Sequence, residues 1–448
     1  MKKPMPPPTD ESILRVVGGH RLMKVMFEEV NVSTDPYLPW DELRYRKPPE
    51  GVTTEEWWLA TRMARNSIKR ALPLRMLDSE GNFSYALPDE VLRLLDEVTQ
   101  RASGQIAVPE QVTNAATKDR YVINSLIEEA ITSSQLEGAS TSRKRAKEMI
   151  RHDRKPTTRS EQMIMNNYLA MQHVSANRNV DFTPGAICQL HEIVTYNTLD
   201  APESAGKIQT NPDPDDRVKV FDGEGNVLHT PPPVGELPAR LQELCDFANG
   251  KDGQGVYVPP VVRALAIHFM VGYDHYFEDG NGRTARALFY WSMLKQGYWL
   301  SEFLTISRIL KQAPAKYTRS FIFTEQDRGD MTYFLIYQLK VIQRALNDLD
   351  KYLARKSEEL QSTRKLLSPT AGNFNYRQVS LLEFAIKHPG EYYTVKSHAK
   401  SHGVSEQAAR NDLYELQDRM LLERDKIGRE FVWTAPVDLT DRIKAAES

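Results

Sequence analysis

The stretch His275-Tyr276-Phe277-Glu278-Asp279-Gly280-Asn281-Gly282-Arg283-Thr284-Ala285-Arg286 decides how the rest of the chain is read. Gly280, Asn281 and Gly282 turn sharply and accept backbone conformations closed to larger residues. A helix is expected to come next, with Ala285, Leu288, Phe289, Trp291, Ser292 and Leu294 in its body. A glycine-rich turn entering a helix presents unpaired backbone N–H groups at the positive end of the helix dipole, which is an anion site. Arg283 and Arg286 are three residues apart, on one side of the first turn, where two guanidinium forks grip two phosphates of one polyphosphate. Asp279 supplies a hard oxygen ligand suited to Mg²⁺ shared with phosphate. His275, just before the turn, has the chemistry of a base working near neutrality. Together these groups imply phosphoryl or nucleotidyl transfer.

Outward from this run the chain reads as helical. Pro259 to Tyr273 carries Val262, Leu265, Ala266, Phe269 and Met270 and delivers His275, while its His268 is expected to be a satisfied helix residue. The 448 residues suit two to three domains, and a net charge of −2 gives no global pull toward nucleic acid or acidic membrane. Two cysteines, Cys188 and Cys245, exclude a disulfide scaffold and suit a reducing cytosol. No apolar run is long enough for a bilayer span, and the first residues lack the apolar stretch of a signal peptide. A cytoplasmic protein with no membrane partner is expected.

The central run also resembles, residue by residue, the signature of the Fic family, His-x-Phe-x-Asp/Glu-Gly-Asn-Gly-Arg-x-x-Arg. The visible departure is Tyr276, where Pro is commoner. The resemblance covers roughly residues 105–360 and implies a mainly α-helical bundle. It implies transfer of AMP from Mg-ATP to a Ser, Thr or Tyr hydroxyl of a protein, this chain included. His275 would be the base, Phe277 would pack inward, and Asp279 would hold Mg²⁺. Asn281 and the N–H groups around Gly280 and Gly282 would cradle the α-phosphate. Arg283 and Arg286 would take the outer phosphates, and Tyr317 lies where relatives place an aromatic near the adenine. Ahead of the core, a helix over Asp119 to Glu137 ends in Ser133-Ser134-Gln135-Leu136-Glu137-Gly138. This resembles the family's inhibitory helix, in which the glutamate reaches the second arginine, here Arg286. Gly138 would close the helix. A β-hairpin flap within 206–230, with Arg217 to Phe221 and Asn226 to His229 as strands, would dock the target segment by strand addition. Gln209 stands where relatives often carry Arg.

The flanks rest on pattern alone. Residues 1–104 read as a helical extension, including a helix from Thr53-Thr54 to about Ala71 that buries Trp57, Leu59, Ala60, Met63 and Ile68. Ser142 to Arg159, rich in Lys and Arg, reads as a solvated helix face and loop. Residues 361–375 read as a linker. Residues 376–448 read as a winged helix-turn-helix, with Arg410, Asn411 and Tyr414 outward and equal numbers of acids and bases, so DNA and protein are equal candidates as its partner. A homodimer stays open as a further partner. Rival functions are AMP removal with Glu137 orienting a water, transfer of another nucleotide, phosphorylation, and a nucleotide-sensing transcriptional regulator.

Overall fold

The computed structural model describes residues 3–17, 19–25, 35–77, 81–104, 115–211, 213, 217–221, 224–251, 255, 257–366, 374–388, 390–427 and 430–445. The fold is mainly α-helical with three small antiparallel sheets. Short helices α1 (Asp10–Val17), α2 (Gly19–Lys24) and α3 (Trp40–Leu43) precede α4 (Thr54–Asn66). Thr53 and Glu56 close a reciprocal capping box on α4. This helix ends at Asn66, short of the expected Ala71. Met63 and Ile68 are exposed, and Trp58 takes the fully buried place beside Leu59 and Ala60.

The chain then forms a hairpin instead, β1 (Arg70–Arg75) and β2 (Asn82–Tyr85), paired Arg70↔Tyr85 and Ala71↔Ser84. Leu72, Leu74, Phe83 and Tyr85 alternate onto its buried face, the period-two pattern of a half-buried strand. Pro73 disguises that pattern in the sequence, and it is tolerated because an edge strand need not use every N–H. The extension is therefore not all helical. Its hairpin joins the main core, with Phe83 edge-on to Phe269 and Tyr273 at 5.3 and 5.0 Å.

That core is built from α5 (Asp89–Ala102), α6 (Ala115–Leu136), α7 (Arg143–Arg151), α8 (Arg159–Ala176) and α9 (Pro184–Thr195). After β3 (Val220–Phe221) and β4 (Val227–His229) it continues with α10 (Leu237–Ala248), α11 (Pro260–Asp274), α12 (Asn281–Lys295), α13 (Ile306–Gln312), α14 (Pro314–Gln326) and α15 (Thr332–Leu366). α11 and α12 form the central pair, nearly every residue buried. Cys245 is buried and Cys188 is half-buried.

The expected linker is also shorter than its composition suggests. α15 runs through Leu366, and Asn375 already caps the next helix through Gln378. Ser368 to Gly372 lie outside the described residues. The C-terminal part, α16 (Tyr376–Lys387), β5 (Tyr392–Tyr393), α17 (Val395–His402), α18 (Glu406–Asp418), β6 (Glu423–Ile427), β7 (Glu430–Thr434) and α19 (Leu439–Ala445), has its own core around Leu382, Leu413, Leu416 and Trp433. Its sheet order is β5-β7-β6. This part rests on α6 and α7: Lys400 pairs with Asp153 at 3.0 Å, and His152 packs on Tyr392 at 5.2 Å. Among the described residues no helix is long and apolar enough to cross a membrane.

Candidate active site

The site is assembled where α11 ends. His275 caps that helix in the left-handed region, φ 51° and ψ 57°, which turns the chain abruptly out of the helix. Its Nδ1 lies 3.3 Å from the Gly272 carbonyl. A carbonyl only accepts, so Nδ1 carries the proton and Nε2 keeps its lone pair. Burial lowers the imidazole pKa to about 4, so His275 is neutral at pH 7 and able to take a proton.

The backbone of this turn is held from the flap side. Gln209 Nε2 donates to the carbonyls of His275 (3.0 Å) and Phe277 (2.8 Å). Arg217 donates to the carbonyls of Asp274 (2.7 Å), His275 (3.1 Å) and Pro232 (2.9 Å), and to Gln209 Oε1 (2.9 Å). Expected from the sequence to be a strand residue, Arg217 instead turns inward and is buried, bringing a guanidinium next to Gln209, where relatives often have one. The flap strands shorten accordingly to Val220–Phe221 and Val227–His229. The turn residues Asp222 and Gly223 lie outside the described residues. Tyr276 is also fixed. Its hydroxyl donates to buried Asp274 (2.6 Å), which pairs with Arg240 (2.8 Å).

The loop folds over His191. The His191 ring stacks on Phe277 with centroids 3.7 Å apart and planes 6° off parallel, so Phe277 packs inward. His191 Nδ1 accepts from the Gly206 N–H, which leaves Nε2–H to donate to the Asp279 carbonyl at 2.8 Å. Burial lowers this imidazole to about 4 as well. Sequence reasoning missed His191, whose one signal was a polar residue on an apolar helix face. Gly280 sits at φ 84°, and a Cβ there would come within 2.6 Å of Thr195 Cγ2. Asn281 departs from its expected role. Its amide bonds both N–H (3.0 Å) and carbonyl (2.6 Å) of Phe277, so the side chain closes the loop. Only its backbone N–H is left for a phosphate. The first helical bond of α12 runs from Thr284 N to Gly280 O, so the N–H groups of Asn281, Gly282 and Arg283 precede it.

Arg283 and Arg286 are both buried. Arg283 donates to the Val194 carbonyl (3.2 Å) and lies 3.5 Å from Asp279. Arg286 is gripped by α6: Nε donates to Ser133 Oγ (2.9 Å), and Nη2 to the Ser133 carbonyl (3.1 Å) and to Glu137 Oε1 (2.8 Å). Glu137 stands over Gly282, where a Cβ would lie 2.3 Å from Oε1. Gly138, at φ 92°, ends the helix. Glu129 adds a third polar group four residues before Ser133. It is buried, accepts from the Ser307 N–H (3.1 Å) and hydroxyl, and burial raises its pKa. Tyr317 lies beside this cluster, but its hydroxyl bonds His268 at 2.7 Å and its ring packs on Phe321. His268, expected to be a satisfied helix residue, is satisfied only at Nε2, since its buried Nδ1 has no hydrogen-bond partner among the described residues.

Among the described residues, no three His, Cys, Asp or Glu gather as a metal cage. Asp279, with its side chain about half exposed beside the nest, fits the other manner of holding Mg²⁺, one carboxylate plus water and substrate phosphates.

Residues 181–293 match the model of the Fic/DOC family. The chain is 28% identical over 137 residues to the protein adenylyltransferase Fic of Drosophila willistoni, covering 30% of this chain and 24% of that protein. The same identity holds for the enzyme of Drosophila melanogaster, over 25% of its length. The match thus spans about a quarter of these relatives. Among solved structures, the fold is similar to that of a Fic family protein from Desulfovibrio desulfuricans G20, with a TM-score of 0.50 and 17% identity, over 79% of this chain and 98% of that one.

Proposed function

This chain is a Fic domain protein, and on that premise we propose that it transfers AMP from Mg-ATP to a protein hydroxyl. The observation carrying this reading is His275, neutral with Nε2 unprotonated, at the edge of a turn that holds two buried arginines and free N–H groups. The hydroxyl oxygen would attack the α-phosphorus while Nε2 takes its proton. The bond to the β-phosphate oxygen would break, and pyrophosphate would leave with its charge on Arg283 and Arg286. Mg²⁺, when held by Asp279, supplies further neutralisation of the phosphates. Residues of the chain itself and an unidentified target docked along the flap are the acceptors in this reading.

Glu137 is the brake. It occupies the Arg286 fork that a terminal phosphate needs, and two anions on one guanidinium in a poorly hydrated cleft repel. The Glu137 side chain is nonetheless one-third exposed, which favours a second reading: the same carboxylate orients a water that removes AMP. Mass spectrometry of the protein incubated with Mg-ATP tests both. A gain of one AMP on a hydroxyl supports transfer. Loss of AMP from a pre-modified protein that needs Glu137 supports removal, and neither change would refute both. We read the C-terminal part, four described helices with a β5-β7-β6 sheet, as a winged helix. Arg410 and Asn411 are exposed on α18, and Arg424 stacks on Tyr414 and Phe431. A gel shift at two salt concentrations distinguishes DNA contact from protein docking.

A further inference from the structure

The basic run after α6 has a use that solvation does not explain. Arg143, Lys147 and Arg151 recur every four residues, so they form a row along one face of α7. That row lies along the C-terminal part, with Arg143 still exposed and Lys147 and Arg151 half-buried. It lines a cleft of about 740 Å³, with Ile127 and Tyr168 on one wall and Phe384, Tyr392 and Tyr393 on the other. A second space of about 470 Å³ shares the row and continues toward Lys351 and Arg355 on α15. Among the described lining residues of the two spaces, lysines and arginines outnumber carboxylates nine to five. Asp153, on the rim, answers Lys400. Within the row one carboxylate serves two cations: Glu128 accepts from Arg143 Nε at 3.0 Å and also pairs with Lys147. Burial lowers the pKa of the Lys147 ammonium, the Glu128 carboxylate opposes that shift, and the neighbouring Arg143 and Arg151 add to it. Ser380 Oγ, Tyr393 Oη and His152 Nδ1, on lining residues, are buried without a hydrogen-bond partner among the described residues.

We propose that this cleft is a second anion site, taking a small molecule that carries two or more phosphate groups. A concave space lined by one sign of charge concentrates counter-ions. Its volume falls within the roughly 300–1,000 Å³ of small-molecule sites, too small for a duplex. The row spans two helical turns, about 12 Å between Arg143 and Arg151, so separate phosphates meet separate cations. Lys351 and Arg355 close the far end. The occupant would compete with Glu128 for Arg143 and Lys147. Glu128 belongs to α6, the helix that carries Ser133 and ends one residue before Glu137, so occupancy would bear on the brake, a consequence that rests on the adenylyltransferase reading.

The test is calorimetric titration of the full chain carrying Arg286→Ala, which weakens the catalytic nest, with inorganic tripolyphosphate and separately with ATP. One saturable site is expected, its affinity falling at least tenfold when Lys147→Gln and Arg151→Gln are added, and falling with salt. Comparable affinity for both ligands assigns a nucleotide, and tripolyphosphate alone assigns an inorganic polyphosphate. Melting curves check that the added changes leave the chain folded. If they do not, Lys351→Gln with Arg355→Gln on the far wall is expected to weaken binding at least threefold. No saturable binding, or affinity unmoved by the far-wall pair in a folded chain, overturns the site. Saturable cleft binding together with no AMP incorporation by the chain that keeps Arg286 would leave the cleft standing and remove the adenylyltransferase reading.

Discussion

At the residue scale, the proposed reaction turns on protonation state and charge competition. His275→Ala is expected to keep the melting temperature within a few degrees and to abolish AMP incorporation. Incorporation at the wild-type rate would refute His275 as the base. With the folded pKa near 4 against an ordinary 6.5, His275 keeps its lone pair well below neutrality. AMP incorporation should therefore hold level from pH 7 to about 5.5, where an unperturbed imidazole would be mostly protonated. The linkage has the matching sign. Between pH 6.5 and 4 the unfolded chain binds this proton and the folded chain does not, so this group's contribution to stability shrinks as pH falls. An acid limb centred near 6.5 would remove the assignment. Glu137→Gly frees the Arg286 fork and should raise AMP incorporation by roughly tenfold or more, a conservative share of what restored alignment can give. Arg286→Ala on top should cancel the gain. Equal activity in wild type and Glu137→Gly would sink the brake. Loss of activity would instead favour Glu137 as a catalytic group in AMP removal.

At the element scale, the flap and the hairpin behave differently from their sequence appearance. Arg217 reaches from the flap to three carbonyls around His275. It is a positioning residue, and Arg217→Ala should lower the rate about a hundredfold through misplacement of the base, with little change in apparent ATP affinity. Because Arg217 also adds positive charge near His275, its removal should move the acid limb upward, a shift that a merely structural residue would not produce. A changed ATP affinity with an unmoved limb would contradict that role. In the hairpin, Leu72 is wholly buried in the main core. Leu72→Ala should cost about 2–5 kcal/mol, as buried leucine truncations do. A change below about 0.5 kcal/mol in denaturant unfolding, within what surface substitutions cost, would show that β1 is peripheral.

At the scale of the whole molecule, the C-terminal part braces α6 and α7 through Lys400–Asp153, His152–Tyr392 and the stacking of Arg151 on Phe384. A chain truncated after residue 374 should stay folded, because the main core is complete without the second one. Its α6 should lose hydrogen-exchange protection over 121–136, with the loss largest in the half toward Ile123 and Ile127. Unchanged protection would show that the two parts merely touch.

The sequence by itself determined the elements whose information is local. The turn Gly280-Asn281-Gly282, the arginines three apart, the Thr53 cap and the apolar stripes of α6, α11 and α12 are set by neighbours within a few residues. So the helical class and the loop around Gly280 were legible in the chain alone, whereas the pairing of Ser133 and Glu137 with Arg286, 153 and 149 residues away, was expected only from the family resemblance. Tertiary structure decided what depends on partners far along the chain. Asn281 turned to Phe277 because the loop must close its own backbone. Arg217 and His191 became supports because folding brought them against carbonyls 57 and 88 residues away. The β1–β2 hairpin formed across Pro73 because Phe269 and Tyr273 offered its apolar face a place. The basic run of α7 faced a cleft because α16 and α17 docked over it. Hydrogen bonding and burial over such separations leave no periodic trace in the sequence, since each is satisfied by whichever group the fold brings near.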